Sequence, residues 1–437
     1  MPFHIPLLSR SQKSGFFSSA TSASVSPSTI PSPPSCQANC DFDLAIVGAG
    51  IVGTTLASAL KNSGLKVALI EAQNPSVAAA RRQAYAISLL SGRIFAGIGV
   101  WASILPKIEK FRQIRLSDAD YSGVVQFELS DLGTENLGYV AEHSALLTSL
   151  QEFLQDCHNV TWLCPAEVVQ VDYQKDLVDI QIKIDGDIKN IKTKLLVAAD
   201  GAKSPIREAA GIRTRGWKYW QSCITTRIKP EKPHNNIAYE RFWPSGPFAI
   251  LPLPNNICNI VWTAPHAEAQ AMMEVDDAEF MAMLSRRYGD QMGRLEMDGK
   301  RLMFQVQLMQ CDRYVLPRLA LVGDAAHGCH PVGGQGLNLG IRDAAALADV
   351  LQQAIAHNED IGDLQVLKRY ENWRKPQNLV ILGFTDFLDR MFSNNFLPLL
   401  IIRRLGLWLL QNIPPFKILA LRLMTGLSGR SPGLAQH

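Results

Sequence analysis

The chain has little of what marks several protein classes. Its eight cysteines are scattered, with no CxxC pair and no zinc-like spacing. That pattern reads as reduced, mostly buried thiols and not as a disulfide framework, and it offers no metal site. No Lys/Arg-rich run accompanies the net charge of +3, so no nucleic-acid partner is expected. There is no internal repeat. Residues 1–40 contain no Asp or Glu and are rich in Ser and Pro. Such a stretch cannot bury a core and reads as a disordered leader. Two origins stay open for it: an organellar transit peptide, which implies a mitochondrion or plastid, or a bacterial extension, which implies the cytoplasmic face of a membrane. A secretory signal does not fit, because Pro2, Pro6 and Ser9 break the apolar start.

Acidic residues are also missing after Asp389, where Arg390, Arg403, Arg404, Lys417, Arg422 and Arg430 lie among Leu, Ile and Trp. The apolar run there is cut by Arg403-Arg404 and is shorter than the roughly 20 residues that span a bilayer. Basic, apolar helices with Trp408 suit the interface of an anionic membrane. The same helices can equally dock on the protein's own core, and the two readings are compatible. With 437 residues and 47% hydrophobic composition, the remainder can hold two or three domain-sized units.

What is present is a nucleotide-binding signature. Phe42 to Val47 is a strand, Gly48-Ala49-Gly50 a turn, and Ile51-Val52-Gly53 opens a helix. Val67 to Ile70 forms a second strand that ends at Glu71. Gly48 permits the tight turn, Gly50 lets backbone approach a pyrophosphate, and Gly53 lets helix pack on strand. The free N–H groups and positive dipole end of the helix face the phosphates. Glu71 is placed to accept hydrogen bonds from a ribose.

A second signal lies at Arg318 to His327, a strand ending in Gly323-Asp324. Pro331-Val332-Gly333-Gly334-Gln335-Gly336-Leu337-Asn338 follows and feeds an alanine-rich helix. An acid at a strand's carboxyl end can hold a polyol hydroxyl. A glycine loop ahead of a helix lets N–H groups approach a planar ring and favours negative charge there. Between the two signals, Leu195 to Asp200-Gly201 is another apolar strand with an acidic turn, and Ser204-Pro205 begins a helix.

These motifs, in this order, resemble the single-component flavin-dependent aromatic hydroxylases of the para-hydroxybenzoate hydroxylase fold. The resemblance covers residues 41 to about 425. Tyr239 to Pro254, Val261-Trp262-Thr263, Leu137 to Val140 and Phe384-Thr385-Asp386 are similar to the ubiquinone-biosynthesis branch of that family. The resemblance implies an α/β protein: a Rossmann-like FAD-binding domain (41–112, 139–215, 311–375), an interleaved substrate sheet (113–138, 216–310) and C-terminal helices (376–437). It puts Gly48, Gly50, Ile51, Val52, Gly53 and Glu71 on the ADP half of FAD, and Asp324 on the ribitol or nearby phosphate. Gly333, Gly334, Gly336, Leu337 and Asn338 fall beside the isoalloxazine, and Asp200 and Arg207 belong to a motif tied to both FAD and NAD(P)H. The family's arginine before Ala86 is replaced by Gln83, which leaves Arg82 as the expected phosphate contact.

The implied chemistry is ring hydroxylation of a polyprenylated phenol in ubiquinone- or plastoquinone-type biosynthesis, using NAD(P)H and O2. No separate nicotinamide domain is expected, since the family binds that co-substrate transiently. Pro331 is expected to shape the oxygen pocket. His327 and His330 flank the loop as candidate bases. The implied partners are a lipophilic phenolic quinone precursor, a membrane surface and a complex of quinone-biosynthesis proteins. Other readings of the same scaffold are a prenyl-chain reductase, a hydroxylase of a soluble aromatic acid, or a flavin-binding accessory protein without turnover.

Overall fold

The computed structural model describes residues 40–118, 123–289, 291–394 and 396–436; the leader expectation falls outside them. The first strand, Phe42–Val47, is the centre of a largely parallel sheet. It pairs in parallel with Asp187–Ala198 on one side and Val67–Ile70 on the other. Leu319–Leu321 and Val160–Leu163 extend the sheet in the same sense. The central strands read as continuous apolar runs because helices cover both faces; Leu44, Ile46, Val67, Leu69, Leu196 and Leu321 are fully buried. The carboxyl ends of four strands therefore converge, and they deliver Gly48, Glu71, Asp200 and Asp324 to one edge. Ligands bind at that edge in open α/β sheets.

The second sheet is antiparallel except at one seam. Its order is His327–Gly328, Leu302–Cys311, Thr214–Pro230, Ile257–Pro265, Gly246–Leu253, Ile237–Trp243, Gln113–Asp118, Val124–Glu128. The seam is the parallel pairing of Ile237–Trp243 with Gln113–Asp118, which joins the two insertions expected from sequence into one wall. A three-stranded sheet, Ala84–Ile87, Gly138–Glu142 and Glu109–Phe111, stands between the layers. The architecture is thus the α/β cofactor domain with an interleaved substrate sheet that the sequence implied.

The C-terminal boundary differs from the expected one. No break occurs at residue 375: one helix, Leu364–Phe392, runs through it with Pro376 inside. Two shorter helices follow, Leu397–Asn412 and Pro414–Met424. They fold back, and Leu90 N–H donates to Thr425 O at 3.2 Å. Among the described residues, no single helix is long and apolar enough to cross a membrane.

Candidate functional site

A cavity of about 1270 Å³ runs between the two sheets. It exceeds the 300–1,000 Å³ typical of one drug-sized ligand, so there is room for a dinucleotide and a further molecule. At one end lies the fingerprint turn. Gly53 is required there by close approach: a Cβ on it would sit 1.9 Å from Gly48 O. Gly50 differs, because a Cβ on it would meet no protein atom within 4 Å and would project into open space. That space lies before the helix Ile51–Ala59, whose first internal bond is Thr54 N–H to Gly50 O. The N–H groups of Ile51, Val52 and Gly53 precede that bond and have no intrahelical acceptor. Glu71 takes Ala49 N–H on Oε2 at 2.8 Å and Gln73 N–H on Oε1 at 2.9 Å. Each oxygen keeps a lone pair for a hydroxyl.

Asp200 and Asp324 line the same cavity. Burial raises the carboxyl pKa of both. Asp200 Oδ1 is buried without a hydrogen-bond partner. An orphaned acceptor of this kind needs a donor from elsewhere, and a ligand hydroxyl or amide supplies one. Gln335 Oε1, in the glycine loop, is orphaned in the same way. The cradle at Gly50 and these two acceptors fit the pyrophosphate and polar groups of FAD.

The glycine loop forms the middle of the cavity. Pro331, Gly333, Gly334, Gly336, Leu337 and Asn338 all line it. Gly333 adopts φ 66°, and a Cβ there would lie 2.0 Å from Met424 Cε. The loop is thus pressed by the last tail helix, and Gln335 Nε2 donates to Met424 O at 3.2 Å. Asn338 spends its hydrogen bonds on the protein. Its Oδ1 accepts from Ser88 N and Ser91 Oγ, and its Nδ2 donates to Ala86 O and Gly334 O, all at 2.8 Å. Its side chain fixes the loop against the strand Ala84–Ile87.

Three expectations need correction. Arg82 does not line the cavity; Arg81 and Gln83 do. The segment leaves the helix Pro75–Ala79 with Arg82 turned to solvent. Arg207 is also absent from the wall. It is buried and donates to Ala325 O at 3.1 Å and Ala202 O at 3.0 Å, which ties two acidic turns together. His327 is fully buried behind the loop, with Nε2 2.5 Å from Asp343 Oδ2. Asp343 also accepts from Arg374 Nε at 2.8 Å and Asn378 Nδ2 at 3.0 Å. Burial alone would raise the Asp343 pKa, but His327 and Arg374 hold it at about 2. This is a scaffold network, and His327 does not reach the cavity. His330 is buried as well, with Nε2 3.4 Å from Asp389 and its ring edge-on to Tyr219. Burial lowers its pKa, against the opposing pull of Asp389 and Asp386.

Sequence reasoning passed over several lining residues. Tyr85 bonds Gln83 Oε1 at 2.9 Å, and its hydroxyl is pushed up to about 12 by burial and then by Asp324. His143 lies 3.3 Å from that hydroxyl. Glu240 projects from the substrate sheet. Phe384, Leu388, Leu410, Ala420 and Leu421 close the apolar end, so the C-terminal helices are part of the wall. Their basic residues are largely spent within the protein. Arg403 is buried on Asp118 at 2.7 Å, and Lys417 pairs with Asp131 at 2.7 Å.

Residues 41–382 match the model of a family described as FAD binding domain. An uncharacterized protein of Synechocystis sp. is 52% identical over 90% of this chain and 95% of its own length. The ubiquinone hydroxylase UbiL of Rhodospirillum rubrum is 35% identical over 92% of this chain and 93% of its own. Among solved structures, p-nitrophenol 4-monooxygenase of Pseudomonas putida shares the fold, with a TM-score of 0.74 and 17% identity over 89% of this chain and 98% of that one.

Proposed function

The chain belongs to the FAD binding domain family and is an FAD-dependent aromatic hydroxylase, and we propose that the ring it oxidises is that of a prenylated phenol in quinone biosynthesis. The observation that carries this reading is the cavity itself, polar at the fingerprint end and apolar where the tail helices close it. Phe127, Phe242, Leu388, Leu410 and Leu421 surround space beyond the glycine loop. A phenol head placed near Pro331 leaves its chain along those side chains, and burial of each CH2 contributes about 0.8 kcal/mol. The identity with a ubiquinone hydroxylase supports the same substrate class.

FAD bound here supplies hydride acceptance from NAD(P)H and activation of O2 as an electrophilic oxygen. The residues that would hold it are Gly50 to Gly53 at the pyrophosphate, Glu71 at a ribose, Asp324 at the linking polyol and the loop Pro331–Asn338 at the ring. The protein's own work is to position the phenol and to keep water out. Asn338 and Arg207 hold the loop and the acidic turns rigid. The tail helices shield the apolar end, so a reactive oxygen meets ring carbon before it meets water.

The outer side of the tail fits a lipid surface. Phe396, Leu397, Ile401, Leu405, Trp408 and Leu419 are each at least half exposed. An apolar patch of that kind is costly in water and favourable at the acyl boundary. With Arg403 and Lys417 engaged inside the protein, attraction to acidic lipids plays the smaller part. A membrane-held substrate then enters beside the helices that wall the cavity.

The test is coupling. Reduced enzyme given O2 and 2-geranylphenol should hydroxylate it with little H2O2, and with phenol itself should release much of the oxygen as H2O2. Equal coupling with both would remove the case for a prenylated substrate.

A further inference from the structure

One ionisable side chain on the cavity wall has no part in holding the cofactor and no hydrogen-bond or ion-pair partner among the described residues. Glu240 lies on the strand Ile237–Trp243, where alternation sends Ala238, Glu240 and Phe242 to one face. All three line the cavity. The register puts Glu240 opposite Ala249 and, on the other side, Leu116. Val261 and Thr225 continue the same row. An acid is therefore inserted into an otherwise uncharged strip of the substrate sheet. No hydrogen bond or ion pair satisfies it among the described residues. Asp118, two positions along on the neighbouring strand, is taken by Arg403 at 2.7 Å.

A half-buried carboxylate set among apolar side chains without a partner is costly, so its place calls for a ligand that shares a proton with it. Resting on the reading that the substrate is a phenol, we propose that Glu240 is the general base that accepts the phenolic proton during hydroxylation. The O–H bond breaks as its proton passes to the Glu240 carboxylate. The oxygen's electron pair moves into the ring, and a ring carbon forms its bond to one atom of O2 as the O–O bond breaks; the other atom leaves as water, and reduced FAD would supply the two electrons and two protons that this requires. That carbon then loses its proton to solvent, the ring regains aromaticity, and Glu240 returns its proton to the phenolate oxygen.

The electrostatics agree with the geometry. Burial alone pushes the Glu240 carboxyl up to about 8. A free phenol titrates near about 10, so the two are separated by about two units instead of the roughly six that an ordinary Glu would leave. A titratable group that senses Glu240 from the strand Thr214–Pro230, three strands along, is Cys223, whose thiol is pushed to about 12 by burial first, with Glu240 adding to it. The row on either side, Ala249, Leu116, Val261 and Thr225, carries no charge. From the long helix, Phe384 and Leu388 line the cavity without charge, and the glycine loop contributes no titratable group beyond Cys329, a thiol raised to about 12. Tyr239 lines the cavity from the same strand, its hydroxyl raised by burial and lowered by Arg115. Glu71, Arg81, Asp200 and Asp324, with Tyr85, His143, Glu167 and Tyr173, complete the titratable lining, on the segments that lead from the cofactor sheet.

The experiment uses FAD-loaded protein, Glu240→Gln and Glu240→Asp, with 2-geranylphenol as probe. Flavin is reduced chemically and then mixed with O2, so that hydroxylation is read apart from NAD(P)H oxidation. Wild-type product formation should rise about tenfold per pH unit below 8 and level above it. The Gln variant should be slower by about 10² or more, lack that limb, and reduce its flavin at the wild-type rate. The Asp variant should recover part of the rate. A Gln variant within threefold of wild type, or one that keeps the limb, overturns the proposal. Probe affinity judges Glu240 separately from turnover. It should increase as pH passes through about 8 in wild type and stay flat in the Gln variant; parallel titrations overturn the assignment. Should the variants not fold, infrared difference spectra of wild type still decide, since absence of any carboxylic-acid band titrating above pH 7 overturns it. Wild type that oxygenates no prenylphenol defeats the proposed function instead.

Discussion

Substituting Gly50 and Gly53, three residues apart in one turn, should damage the protein in opposite ways. Gly50 has φ −70° and ψ −177°, backbone that any residue adopts. A side chain there meets no protein atom. Gly50→Val should therefore fold nearly as well as wild type without cofactor, at a cost of at most about 1 kcal/mol for a poorer helix cap. Its methyl groups would stand before the N–H groups of Ile51, Val52 and Gly53, where phosphate oxygens belong. Loss of two hydrogen bonds to a charged acceptor, at roughly 1.5–3 kcal/mol each, amounts to roughly 3–6 kcal/mol. That weakens FAD about 10²- to 10⁴-fold. Gly53→Ala instead drives Cβ to 1.9 Å from Gly48 O, and the helix has to move. Overpacking of this sort costs about 1–3 kcal/mol and should lower the melting temperature of the FAD-free protein. FAD titration of stripped protein and calorimetry of the same samples separate the two effects. Binding of FAD by Gly50→Val within threefold of wild type, or destabilisation of the stripped protein as large as that of Gly53→Ala, would refute these separate roles.

Three further outcomes are expected. His327→Gln should cost stability, roughly 3–5 kcal/mol for breaking a buried pair, while the pH profile of hydroxylation stays that of wild type; a lost basic limb would return His327 to the chemistry. Asp343, held near 2 against an ordinary 3.8, should stabilise the fold above about pH 4 and lose that contribution as pH falls toward 2. Denaturant titrations between pH 6 and 2 should then show a loss on the order of 2 kcal/mol that Asp343→Asn lacks. On the tail, Ile401→Asp with Ile402→Asp should reduce co-sedimentation with liposomes at least tenfold. Salt should matter little for wild type, because Arg403, Lys417, Arg390 and Arg430 already have carboxylate or aromatic partners. Complete release of wild type by salt would favour a mainly electrostatic contact.

The cofactor side of the cavity was legible in sequence because it is built from local units. Each is a strand, a turn and a helix start within about a dozen residues, so Gly48, Glu71, Asp200, Asp324 and the glycine loop announced themselves. What escaped notice depends on long-range packing. Arg403 meets Asp118 across 285 residues, and that pairing turns a tail that reads as basic into one whose outer face is mainly apolar. Met424 reaches the glycine loop only because the tail folds back. His327 looked like a candidate base until Asp343 and Arg374 surrounded it. Arg81 and Arg82 are adjacent, and only the path of the chain after Ala79 decides which one faces inward. Glu240 could have been found from sequence, since an acid at the centre of Ala238-x-Glu240-x-Phe242 breaks an apolar alternation on a buried face.

This cavity puts one atom of O2 onto the ring of a lipophilic phenol. FAD-loaded protein, NAD(P)H and 2-geranylphenol under ¹⁸O2 give the direct measurement, by mass spectrometry of the product. The product should carry a single added oxygen with the label, and the phenol should stimulate NAD(P)H consumption. Label arriving from water, or reduction of the prenyl chain with no oxygen added, would contradict that reaction.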